Sequence, residues 1–359
     1  GAEPTVLERR AGGRVWLVSV RHPCRPDRYF VHRTGPDRCR LLAERRPGHP
    51  VAALRCTPID IPLRDGGSAP GYLSQPTGAG PGPQPMVLLV HGGPWRRVRW
   101  EYAERRSRLT ELGYTVVEPN FRGSTGFGTG WVNAADRQWG KAMQADLADT
   151  IGWAIGAGIA DPDRIALFGG SYGGYAVLQL AATSALRLRC VIASSPVTDL
   201  VAFVEAPPPF WRSAAPMLRR RIGDPAQPDQ RADLLNCSPV TVAAGIDCPV
   251  LLLHGANDSR VPARMSSELL LAMARAGRTA TLAMFLNEGH EIVSAANRRR
   301  YESLISQFLL RELSGLDPSE IADASDQAAF EEPTVRLFHT PAAEHALISG
   351  ARHGTAVPS

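Results

Sequence analysis

The apolar run Ile165-Ala166-Leu167-Phe168 passes directly into Gly169-Gly170-Ser171-Tyr172-Gly173-Gly174-Tyr175 and then into an Ala- and Leu-rich stretch of helical character. A buried strand that turns into a helix through G-x-S-x-G has few ways to fold. The turn is so tight that side chains at positions 169 and 173 would collide, hence Gly169 and Gly173, and it lifts Ser171 Oγ above the end of its sheet. The N–H of Tyr172, first in the helix, is aimed where negative charge would collect on an attacked carbonyl. A glycine-rich turn holding an incidental serine is the bland alternative. The strand before it and the helix after it argue against that reading.

The surrounding sequence supplies the sheet this turn needs. Short apolar runs at Met86–Val90, Tyr114–Glu118, Ile165–Phe168, Cys190–Ala193, Val250–Leu253 and Thr281–Phe285 alternate with helical stretches. Two of the stretches carry a clear stripe: Met265, Leu269, Ala272, Met273 and Ala276, then Tyr301, Leu304, Ile305, Phe308 and Leu309. Runs of this kind between amphipathic helices predict an α/β fold, a mostly parallel twisted sheet with helices on both faces. Residues 1 to about 50 read differently. Arg14–Val20, Tyr29–His32 and Cys39–Leu42 alternate between Pro, Gly and Asp turns, which predicts three short antiparallel strands. The interval from Ser195 to Asp247, rich in Pro and aromatics, reads as an insertion near a site. The chain divides into a strand-rich segment 1–50, an α/β domain 51–315 and a polar, Ala-rich tail 316–359 expected to be mostly disordered.

A serine hydroxyl is a weak nucleophile until a base takes its proton and a carboxylate fixes the tautomer of that base. The chain order serine, acid, base points to Asp258, after Val250-Leu251-Leu252-Leu253-His254-Gly255-Ala256-Asn257, and to His290, after Phe285-Leu286-Asn287-Glu288-Gly289. The rival histidines fail on position. His254 sits at a strand end, where a packed, hydrogen-bonded imidazole fits better; His91 precedes the serine; His339, His345 and His353 lie in the tail. Glu288 is read as shaping the turn before His290. For the second oxyanion donor, Val90-His91-Gly92-Gly93-Pro94 offers paired glycines whose backbone can approach a carbonyl closely, with Gly93 assigned and Gly92 open.

Composition excludes other classes. Forty Lys plus Arg against 35 Asp plus Glu give a net charge of +5, but Lys141 is the only lysine and the arginines are scattered. Arg219-Arg220-Arg221 and Arg298-Arg299-Arg300 are read as solvated helix faces, since no nucleic-acid-binding signature accompanies them. Six cysteines without a C-x-x-C pair make neither a disulfide scaffold nor a metal site, so no metal or cofactor is expected, and the default location is a reducing, cytoplasmic one. No apolar run reaches the roughly 18 residues of a membrane span. The chain begins with Gly1 rather than Met, which reads as a trimmed chain or fragment.

Taken in order, His91-Gly92-Gly93-Pro94, Asn120-Phe121-Arg122-Gly123-Ser124-Thr125-Gly126-Phe127-Gly128, Gly169–Gly174, His254–Asp258 with Val261-Pro262, and Glu288-Gly289-His290 resemble the catalytic domain of the prolyl oligopeptidase family of serine peptidases. The Arg-Gly-Ser-Thr-Gly segment is closest to its acylaminoacyl-peptidase branch. The resemblance runs from about Pro58 to Leu313. It implies an α/β-hydrolase domain in which Ser171, Asp258 and His290 form a triad and the Tyr172 and Gly93 amides an oxyanion hole. It also implies cleavage of short peptides through an acyl-enzyme; a carboxylesterase would use the same machinery, and a non-catalytic remnant subunit is the third reading. The family places a β-propeller before this domain, whereas the 50 residues here resemble at most its last blade. The resemblance therefore implies self-association, or association with the remainder of a parent chain. Two roles stay open for Arg122, contact with substrate or bracing of the glycine loop. Trp95, Phe127, Trp131, Phe210 and Trp211 are candidates for an apolar specificity pocket.

Overall fold

Two sheets organise the chain, for which a computed structural model describes residues 2–35, 39–44, 54–314 and 334–340. Strands β1 (Glu3–Arg10), β2 (Val15–His22), β3 (Arg25–Arg33) and β4 (Cys39–Glu44) form an antiparallel meander. Three of these strands match the alternation in the sequence. The fourth, β1, is exposed along its whole length and so has no apolar rhythm to read. The meander touches the larger body where Arg21 Nη1 lies 3.6 Å from Glu101 and Arg106 Nη1 donates to the Pro23 carbonyl at 3.5 Å.

The second sheet contains β5 (Leu54–Pro62), β6 (Ser68–Pro76), β7 (Gln84–Val90), β8 (Thr115–Pro119), β9 (Ala160–Gly170), β10 (Cys190–Ser194), β11 (Val250–Gly255), β12 (Ala280–Phe285) and β13 (Val335–His339). Their order is β13-β12-β11-β10-β9-β7-β8-β6-β5. From β8 to β12 the neighbours are parallel; β6 and β13 join antiparallel at the flanks. The helices are α1 (Glu104–Glu111), α2 (Thr129–Asn133), α3 (Ala142–Gly156), α4 (Tyr172–Thr183), α5 (Leu200–Glu205), α6 (Ala215–Arg221), α7 (Pro228–Asn236), α8 (Arg264–Arg275) and α9 (Ala295–Leu309).

Alternation along the central strands feeds two cores. Strand β7 sends Met86, Leu88 and Val90 towards α3, α4 and α8, and Val87 towards α1 and α9. Both faces are covered, which is why these strands read as continuous apolar runs. The α9 stripe is buried as its spacing predicts, at Tyr301, Leu304, Ile305, Phe308 and Leu309; each such side chain contributes about 1.5–3 kcal/mol on leaving water.

Strands β5 and β6 escape the sequence reading because Pro58, Pro70 and Gly71 interrupt them. Proline is tolerated at an edge such as β5, where no ladder partner needs its missing N–H. At Gly71 a Cβ would stand 2.9 Å from the Glu118 carbonyl, so glycine lets β8 approach. One segment of the tail is ordered. Residues 335–339 form β13, with Phe285 opposite Val335 and Thr281 opposite His339; the pairing supplies order that local composition does not suggest. The rest of the tail, and the boundary expected near residue 50, lie outside the described residues.

Candidate active site

Because β7, β9, β11 and β12 run parallel, their carboxyl ends lie along one edge of the sheet. The loops there carry Gly92 and Gly93, Ser171, Asp258 and His290. Ligand sites of open α/β sheets gather at this edge.

Ser171 occupies the turn between β9 and α4 at φ 57° and ψ −120°, a region that ordinary residues avoid. The surroundings hold it there. Its N–H donates to the Ser194 carbonyl at 2.8 Å, and its carbonyl accepts from Tyr175 N–H at 3.0 Å. A Cβ on Gly169 would stand 2.2 Å from the Gly173 carbonyl oxygen, and one on Gly173 would stand 2.2 Å from that of Val90. Both glycines are therefore demanded by backbone contact.

Asp258 is buried and fully engaged. One carboxylate oxygen accepts the N–H groups of Arg260 at 2.8 Å and Val261 at 2.9 Å; the other faces His290 Nδ1 at 2.6 Å and His254 Nε2 at 3.2 Å. Burial pushes the Asp258 carboxyl up, but the hydrogen bonds from His254, His290 and Val261 outweigh it and hold the group well below the usual carboxylate range. With Nδ1–H committed to a carboxylate, His290 keeps Nε2 as its open, basic nitrogen. His254 is the packed imidazole the sequence suggests: Nε2 donates to the Val261 carbonyl at 3.0 Å, and Nδ1 pairs with Ser266 Oγ at 2.7 Å. Glu288 accepts from Val293 N–H, Ser294 N–H and Asn297, tying the His290 loop to the start of α9.

Ser171 and His290 face a common cleft of about 550 Å³ with Gly92, Gly93 and Trp211. No direct Oγ–Nε2 hydrogen bond joins them among the described residues; such contacts commonly close only around a substrate. Tyr172 turns its side chain inwards, 4.5 Å from Trp139 and 5.6 Å from Phe121 and Tyr175 between ring centroids, leaving its N–H at the mouth of α4. Gly93 has φ 129°, open to glycine, and a Cβ there would meet the Trp95 amide at 2.7 Å.

Of the six substrate-contact candidates, Trp211 lines the cleft and Arg122, Trp95, Phe127, Trp131 and Phe210 do not. Arg122 is consumed by a forked pair with Asp146, Nε donating to Oδ2 at 2.9 Å and Nη2 to Oδ1 at 2.6 Å, and by Asp65 at 2.8 Å. It braces the glycine-rich loop. Trp95 packs against the larger core with the Arg221 guanidinium 5.6 Å from its ring. Phe127 is exposed, beneath Arg97 at 5.9 Å. Two features escaped the sequence reading: Arg298, which lines the cleft but was grouped with a solvated helix face, and His91, which lies behind the lining residue Gly92 and was set aside because it precedes the serine. A histidine directly before a Gly-Gly pair was the available signal for the second.

Sheet order, helices on both faces and the strained serine at the strand–helix turn define an α/β-hydrolase. Residues 100–315 match the Prolyl oligopeptidase family, and the chain belongs to that family. It is 32% identical over 321 residues to dipeptidyl aminopeptidase BIII of Pseudoxanthomonas mexicana, covering 87% of this chain and 46% of the relative. It is also 26% identical over 213 residues to acylamino-acid-releasing enzyme 2 of Oryza sativa subsp. japonica, covering 58% and 28%. Among solved structures, a puromycin-hydrolyzing peptidase of Mycobacterium tuberculosis superposes with a TM-score of 0.75 at 28% identity, over 84% of this chain and 46% of the other. The chain thus spans less than half the length of these relatives. No helix among the described residues is long and apolar enough to cross a membrane.

Proposed function

We propose that the chain is a serine peptidase domain that cleaves short peptides by acyl transfer, with Ser171 as nucleophile, His290 as general base and Asp258 as the residue orienting it. The observation that carries this reading is the 2.6 Å contact between Asp258 and His290 Nδ1, which leaves Nε2 basic in the cleft that Ser171 enters. His290 takes the Ser171 proton as Oγ attacks the scissile carbonyl. The oxygen that becomes negative is held by the N–H groups of Tyr172 and Gly93. His290 then returns the proton to the leaving amine, and a water activated the same way releases the acyl group.

The charge pattern of the cleft favours blocked amino termini, in the manner of an acylaminoacyl-peptidase. A free α-amine needs an unengaged carboxylate. The two carboxylates lining the cleft, Glu291 and Glu302, stand 3.9 and 3.8 Å from Arg260 and Arg105. A fluorophosphonate probe tests the nucleophile, and acyl-alanine or acyl-phenylalanine anilides against p-nitrophenyl esters test the bond cleaved. Ester turnover without anilide turnover would turn the assignment to a carboxylesterase. No labelling of Ser171 would leave a non-catalytic subunit.

A further inference from the structure

The cleft has two chemically different ends. Trp211 packs edge-on against Phe203 at 6.1 Å, and Phe203 lies 6.5 Å from Trp139, on the sheet face covered by α3 and α4. The other end belongs to α1 and α9 on the opposite face, and there Arg105, Arg298 and Tyr301 line the wall. A peptide bond at Ser171 must cross from one end to the other. His290 has to reach the departing nitrogen, and α9 follows directly from the His290 loop, so the leaving portion faces α9 while the acyl portion takes the aromatic end.

Four arginines line the cleft (Arg96, Arg105, Arg260 and Arg298) against two glutamates. Arg105 stacks 4.6 Å from the Phe168 ring and 5.1 Å from that of Tyr301, with Glu302 beside it, and Arg260 has Glu291. Arg298 and Arg96 have no carboxylate within 4.0 Å among the described residues, and both are exposed. Glu288 is the acidic group that feels Arg298, but its oxygens already accept from Val293, Ser294 and Asn297. Two guanidinium groups therefore face the substrate space with their charge uncompensated.

We infer that the cleft selects substrates whose leaving portion carries a carboxylate, with Arg298 as the principal contact and Arg96 reinforcing the field. This rests on the peptidase reading above. The carboxylate has two sources, the free C-terminus of a short leaving fragment or an acidic side chain within it. Both present the planar, two-oxygen acceptor that a guanidinium matches.

The test compares acetyl-Phe-Ala as the free acid, its C-terminal amide, and acetyl-Phe-Asp amide at low and high salt. At low salt the two anionic peptides should exceed the neutral amide in kcat/KM by about tenfold, an advantage that shrinks severalfold in 0.5 M salt as screening sets in. The free acid leading points to the α-carboxylate, and the Asp amide leading to the side chain; either supports the inference. Arg298→Ala should lower the acid-to-amide ratio at least threefold, Arg298→Lys should restore part of it, and Arg299→Ala, outside the cleft lining, should leave it alone. Equal kcat/KM for all three peptides at low salt, or a ratio untouched in an Arg96→Ala/Arg298→Ala double variant, overturns the inference. Cleavage of none of them while the fluorophosphonate still labels Ser171 overturns the peptidase reading itself.

Discussion

His91 Nδ1 lies 2.8 Å from the carbonyl oxygen of Gly92. A carbonyl can only accept, so Nδ1 carries the proton and Nε2 takes the hydroxyl proton of Ser124 at 2.9 Å. The ring is stacked on Phe121 with centroids 4.4 Å apart. In a trans peptide the C=O and the following N–H point in opposite directions. By holding the Gly92 carbonyl on its own side, His91 turns the Gly93 N–H the other way, which suits the donor role proposed for it above.

His91→Ala is therefore expected to lower kcat about tenfold or more while KM moves little, because the lost interaction acts on the transition state. Steady-state kinetics on an acyl-amino-acid anilide checks it; a rise in KM at constant kcat would contradict it. Burial lowers the His91 pKa from 6.5 to about 4. The unfolded imidazole takes up its proton near pH 6.5 and the folded one resists to about pH 4, so the unfolded state binds more protons between those values. The stabilisation is complete above about pH 6.5 and declines as pH falls towards 4. Denaturant titrations at pH 5 and pH 7.5 should show a smaller difference for His91→Gln than for the parent.

Ser171→Ala and His290→Ala should each reduce kcat by several orders of magnitude, with Asp258→Asn somewhat milder, since the three act as a unit. Retention of a tenth of the parent activity in Ser171→Ala would remove the serine from the chemistry. As general base His290 must be neutral, because only a neutral imidazole can accept from the serine. Asp258 stays ionised at neutral and mildly acidic pH, its carboxyl being held well below the ordinary carboxylate value despite burial.

The legible parts of the molecule are those where chemistry and backbone impose the same residue. Gly169 and Gly173 are fixed by contacts of 2.2 Å to backbone oxygens, and Asp258 and His290 by strand ends in a set order. Less legible were features decided by distant partners. Strand β13 exists through its pairing with β12, and β6 through a glycine that lets β8 approach. Arg122 could contact substrate or brace the glycine loop until Asp146 and Asp65 are seen around it. Arg298 resembles a solvated helix residue until the sheet brings α9 beside Ser171.

Gly173→Ala tests the turn as a unit. The added methyl carbon would sit 2.2 Å from the Val90 carbonyl oxygen and 3.0 Å from that of His91, both backbone atoms of the β7 end that also carries Gly92 and Gly93. Relief requires α4 and β7 to separate, at a cost of about 3 kcal/mol or more by analogy with overpacked cores. The variant should show a lower denaturation midpoint together with lost fluorophosphonate labelling. Full stability and full labelling would mean that the turn is looser than its contacts indicate.

The meander leads to a prediction about assembly. Its outer strands β1 and β4 are exposed along their length, and Val6, Leu7, Leu41 and Leu42 present apolar side chains to solvent. Among the described residues neither strand has a neighbour on its outer side. Unpaired edges with apolar side chains pair with other chains unless something covers them. Light scattering should show concentration-dependent association, and Leu7→Lys with Leu41→Lys should shift it towards monomer, because a charge at an edge opposes pairing. Anilide turnover should persist in that double variant, since neither leucine lies on the cleft. A parent chain that scatters as a monomer at high concentration would show that these edges do not drive assembly.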